Sequence, residues 1–147
     1  MTIEDDIAFL ERVPVLRRLG APALRILAIG AESYSVDAGQ LLFTAGDDAD
    51  AGFVVQRGSF RIADEQGAEM IAGPGALIGE LALIVAMPRP STATALESAT
   101  VIRVARSLFQ RVLESDPVAA RKLRDELANR TSQIASDILM AGAKLAT

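Results

Sequence analysis

Between residues 33 and 105 the chain is cut into short apolar stretches, each too short for a helix and each closed by turn residues. This spacing constrains the fold more than any other feature. Strands are expected at 33–36, 41–44, 52–56, 59–63, 69–72, 92–96 and 100–104. Gly39, Gly46, Gly58, Gly67 and the triplet Gly73-Pro74-Gly75 mark the connections. Many short strands at even spacing predict a β-roll or jelly roll. The flanks read differently. Ile3, Ile7, Leu10, Leu16 and Leu19 lie near helical spacing, and Gly20 with Pro22 punctuates as a glycine past one helix end and a proline opening the next. Ser107 and Gln110 form a capping-box pattern for a helix over 107–114. Asp116 followed by Pro117 opens a second helix, expected over 117–145. The expected fold is α+β, a single domain over residues 1–147. N-terminal helices (1–32) precede the β-roll (33–105), and two C-terminal helices follow it. A chain of 147 residues has the length for one sizeable core.

The stretch from Leu77 to Ala95, LIGELALIVAMPRPSTATA, carries the chemistry. Gly79 has no Cβ and lets other groups approach its backbone closely. If Glu80 to Ile84 form a helical turn, the first N–H groups of that turn favour an anion. Leu81 and Ala82 would supply such groups, and Arg89 supplies a permanent charge with a planar donor fork suited to phosphate oxygens. Glu80 is acceptor-only and would repel a phosphate, so its natural partner is a hydroxyl, such as one on a ribose. A sugar hydroxyl beside one anionic phosphate describes a cyclic nucleotide. The competing reading of the same residues is a surface ion pair between Glu80 and Arg89 beside a turn glycine.

GELAL followed by PR and a run of small residues resembles the phosphate-binding cassette of cyclic-nucleotide-binding domains. Such domains occur in regulatory subunits of cAMP-dependent kinase, the catabolite activator protein and cyclic-nucleotide-gated channels. FLERVPVLRRL, AGQLLFTAGDDAD and VVQRGSFRI are similar to further family segments in the usual order, so the resemblance covers roughly residues 5 to 130. It implies a ligand site of Gly79, Glu80, Leu81, Ala82, Arg89, Pro90 and Ser91, within a cassette over 77–95. It also implies a C-terminal helix that closes over the base. One departure bears on affinity. In the family the residue after the arginine often donates its backbone N–H to the phosphate, and Pro90 has none. Ser91 stands one place on with a hydroxyl. A threonine at the Pro90 position would support guanine recognition, so cAMP is expected as ligand in preference to cGMP. The alternative function is a degenerate, ligand-free domain acting as a dimeric structural or adaptor module.

Composition narrows the classes. A net charge of −4 and a pI near 4.8 argue against DNA or RNA as partner, which calls for a basic face. The chain has no histidine and no cysteine, so metal centres and acid–base or nucleophilic catalysis lose their commonest side chains. No metal cofactor is expected, and the protein is expected not to be an enzyme. Mean hydropathy is +0.29, yet no apolar run approaches the ~20 residues of a membrane span, and no membrane partner is expected. The acidic start, MTIEDDIAFL, lacks the basic region of a secretory signal, which with the absence of cysteine fits a cytoplasmic location.

The remaining candidates for chemistry fail on spacing. Asp47, Asp48 and Asp50 do not form a calcium loop, because Phe53 and Ser59 fall where glycine and glutamate are required. They read as a solvated turn. Arg121, Lys122 and Arg124 read as a solvated helix face. Leu127, Thr131, Ile134, Ile138, Ala141 and Leu145 alternate by four and three, a seam expected to pair helices in a homodimer. Thirty residues follow Pro117 and one helix consumes them, so no recognition helix or attached effector domain is expected. The output would then pass to a separate effector protein.

Overall fold

A computed structural model describes residues 2–13 and 16–125. Its first helix, α1 (Ile3–Leu10), opens on Thr2, whose side chain accepts from the Asp5 amide while Asp5 reaches back to the Thr2 amide. A 3-10 turn (Leu16–Leu19) follows, and then α2 (Ala21–Gly30). Gly20 joins the two at φ 81°, a left-handed backbone that glycine adopts without Cβ strain.

Ten strands form the roll: β1 (Glu32–Val36), β2 (Leu41–Phe43), β3 (Asp48–Ala49), β4 (Ala51–Arg57), β5 (Phe60–Asp64), β6 (Glu69–Ala72), β7 (Leu77–Ile78), β8 (Met87–Pro88), β9 (Ser91–Ala95) and β10 (Ala99–Ala105). One sheet runs β1-β10-β4-β7 and the other β2-β9-β5-β6, with β3 and β8 as a small third ladder. Every pairing is antiparallel. The expected β-roll flanked by helices is the fold observed. The ladders of β3, β7 and β8 are additions to the seven expected strands.

Two cores meet at β4. Phe53 and Val55 face the interior between the sheets, packed in the same cluster as Phe43, Phe60, Ile78 and Val101. Val54 belongs to the helical layer with Leu10, Leu24, Leu27, Leu83 and Phe109. A strand covered on both faces reads as a continuous apolar run, which is why AGFVV does not alternate with polar residues.

The helix α3 (Arg106–Ser115) starts one residue before the expected position, and the capping box does not form. The helix N-cap is Ala105, with no side-chain cap bond. The Arg106 amide instead donates to the Asp50 carbonyl at 2.7 Å, so a loop of the roll takes over the capping role. Asp116 does cap the next helix, its carboxylate accepting from the Ala119 amide at 3.1 Å. That helix is described over 117–125. The seam from Leu127 to Leu145, and the dimer expected from it, lie outside the described residues.

Candidate functional site

The segment after β7 turns sharply because Gly79 adopts φ 72°, ψ 36°. A 3-10 turn follows over Glu80–Leu83, in place of the longer turn expected to Ile84, which forms its C-cap. The Ala82 amide donates to the Gly79 carbonyl at 3.1 Å, so this amide is already engaged within the turn. Leu83 is fully buried and anchors the turn in the helical layer. On the exit side Arg106 donates from Nη1 to the carbonyls of Ala82 and Val85 and of Ala49 on β3.

Arg89 leaves β8 with its backbone held by the neighbouring acidic turn. Its amide donates to the Asp47 carbonyl at 2.7 Å, and its carbonyl accepts from the Gly46 amide at 2.8 Å. That turn is closed on itself, the Asp47 carboxylate accepting from the Thr44 amide. The Arg89 side chain runs inward and is only 5% exposed. Nη2 donates to the Ala51 carbonyl at 2.8 Å, while Nη1 is buried with no hydrogen-bond partner. No carboxylate pairs with this guanidinium among the described residues. Burial pushes it below the usual arginine value, and the charge of Asp50 only partly opposes that shift.

Gly79 and Arg89 are matched. A Cβ on Gly79 would collide with Nη1 of Arg89. The glycine does permit a close approach, as its lack of a Cβ suggests, and the group that approaches is the arginine of the same cassette. A surface ion pair with Glu80 is therefore the wrong description of Arg89, which is buried. Glu80 and Leu81 are half-buried, Ala82 is buried, Pro90 is exposed, and Ser91 is half-buried at the start of β9.

All seven residues border one cavity of about 380 Å³. Its other walls come from Phe43 and from Ile62, Met70, Ala72 and Ala76, with Met87 beside the arginine. These walls were not distinguished in the sequence. Apolar side chains on strands lining a cavity carry the same alternation as those filling a core. The arrangement is an apolar chamber with one partnerless cationic donor at one end and a carboxylate nearby, which suits a ligand with an apolar body, an anionic group and a hydroxyl. Among the described residues no cluster of His, Cys, Asp or Glu could hold a metal ion, and no helix is long and apolar enough to cross a membrane.

Comparison with known proteins identifies the family of the chain. The family model described as "Cyclic nucleotide-binding domain" matches residues 34–116, more than half of the chain. A cyclic nucleotide-gated potassium channel of Mesorhizobium japonicum is 31% identical over 124 residues, which is 84% of this chain and 34% of the channel. The chain thus spans about a third of the length of that relative. A solved cyclic nucleotide-binding-like protein from Brucella abortus has 37% identity and a TM-score of 0.65, over 75% of this chain and 98% of that one. The regulatory domain of Toxoplasma gondii PKA, solved with cAMP, has a TM-score of 0.76 at 23% identity, covering 89% of this chain and 50% of that one, and shows a shared fold.

Proposed function

The chain belongs to the cyclic nucleotide-binding domain family, and from that premise we propose that it is a cytoplasmic receptor for cAMP with a regulatory output. The observation that carries this reading is the buried Arg89 Nη1, which has no partner and borders a cavity of nucleotide size. A phosphate oxygen there would supply the missing acceptor and the missing counter-charge together. Glu80, across the turn, would accept from the ribose hydroxyl. Pro90 offers no hydroxyl to a guanine amino group, which supports cAMP over cGMP. Titration with labelled cAMP and competition by cGMP test this directly. Binding with cAMP ahead of cGMP is expected, and a preference for cGMP would overturn the choice of base.

The sugar contact has its own test. Glu80→Ala should weaken cAMP binding by about tenfold, the equivalent of losing ~1.5 kcal/mol of charged hydrogen bond. The same substitution should barely affect 2′-deoxy-cAMP, which lacks the hydroxyl. Equal losses for the two ligands would remove Glu80 from the sugar.

The second reading, a ligand-free module, rests on Pro90. Exposed and without an N–H, it removes a phosphate donor at the cavity rim. Pro90→Ala should tighten cAMP binding by up to roughly tenfold by restoring that donor. Unchanged affinity would mean that another group, first of all the Ser91 hydroxyl, already satisfies the phosphate. Absence of binding in both forms would favour the ligand-free module.

A further inference from the structure

Resting on that reading of the cavity, we propose that Phe43 is a positioning residue for the nucleotide phosphate, its ring face holding the Arg89 guanidinium in place. Two rings stand beside the guanidinium. Its central carbon is 4.3 Å from the centroid of Phe43 on β2 and 5.5 Å from that of Phe53 on β4. The rings are 6.0 Å apart and tilted by 30°. Both lie within cation–π range, and Phe43 is the nearer. Phe43 also borders the cavity, so it meets the arginine where a ligand would.

The choice of an aromatic face has a chemical reason. A buried cation needs compensation, and a carboxylate would give it at the cost of neutralising the charge and repelling the incoming phosphate. A ring quadrupole attracts the cation without taking up its N–H groups. With Nη2 tied to the Ala51 carbonyl and the ring against the guanidinium, Nη1 remains a buried donor without a partner. Phe43 thus fixes the direction of the fork and keeps its charge available.

The test uses Phe43→Leu, with Phe43→Tyr to restore the ring face and Phe53→Leu as a control from the same core. Phe43→Leu should weaken cAMP binding about five- to thirtyfold, the equivalent of ~1–2 kcal/mol. The decisive readout is the affinity ratio between the Rp and Sp phosphorothioates of cAMP, in which sulfur replaces one or the other exocyclic oxygen. A fixed fork distinguishes them. Phe43→Leu should bring the ratio towards one, and Phe43→Tyr should keep it. A packing role alone would weaken both diastereomers alike, so an unchanged ratio in Phe43→Leu overturns the proposal, as does an equal collapse in Phe53→Leu. If wild type binds the nucleotide and only these variants disappoint, the receptor reading stands without Phe43. If wild type binds no cyclic nucleotide, both fall. Should Phe43→Leu not fold, guanidinium NMR of the wild type decides. An upfield ring-current shift of the Arg89 side-chain N–H supports the placement, and unshifted resonances overturn it.

Discussion

Arg89→Met is expected to abolish most cyclic-nucleotide affinity while leaving the ligand-free protein at least as stable as before. The two effects have one origin. The guanidinium is buried, holds one hydrogen bond to Ala51 and leaves Nη1 without a partner. A phosphate deprived of that cation loses charge-assisted bonds worth about 1.5–3 kcal/mol each, a ten- to hundredfold weakening per bond. Methionine keeps an unbranched apolar stem in the same space and removes a desolvated charge, which offsets the lost bond to Ala51. Titration calorimetry and thermal melting of the same preparation measure both. A fall in melting temperature of more than ~5 °C without ligand would mark Arg89 as a structural residue first.

Gly79→Ala should weaken binding by a comparable amount through the same guanidinium. The position sits at φ 72°, where a Cβ costs about 1–2 kcal/mol, and that Cβ would meet Nη1 of Arg89. Either the turn or the arginine has to move. Because both substitutions act on one donor, they should not add. In an Arg89→Met background, Gly79→Ala should cost far less affinity than it does alone. Full additivity in that double-mutant cycle would separate the glycine from the arginine.

The parts of the fold legible in the sequence are those with a repeating signal. The strand expected at 59–63 is found at Phe60–Asp64 and that at 92–96 at Ser91–Ala95, each displaced by one residue. Alternation locates a strand better than its ends. The ladders of β3, β7 and β8 are two residues long and leave no period to detect. The capping pattern at Ser107 is present in the sequence but does not form, because the helix begins one residue earlier, where the Asp50 carbonyl, a partner distant along the chain, accepts from the Arg106 amide. The same limit applies to the site. Arg89 stood out as a cation in an apolar segment. Its neighbours Phe43, Phe53 and Ala51 come from other strands and carry no local mark of that role. Gly79 could be read as a point of close approach, but not with Arg89 as the group that fills the space.

The first part of the cassette, residues 77–88, is joined to the sheets by two short ladders. At one end Phe53 and Val54 pair with Ile78 and Leu77, and at the other Asp48 and Ala49 pair with Pro88 and Met87. Between these ladders, the buried Leu83 and the Arg106 guanidinium fasten it to the rest. With so few ladder bonds, such a segment is expected to open locally at a lower free energy than the sheets, drawing Leu83 out of the helical layer as it does. A ligand that holds only the fastened form therefore acts first on this local equilibrium. Its imprint is expected in amide exchange between Leu77 and Met87, at saturations too low to move the global melting transition.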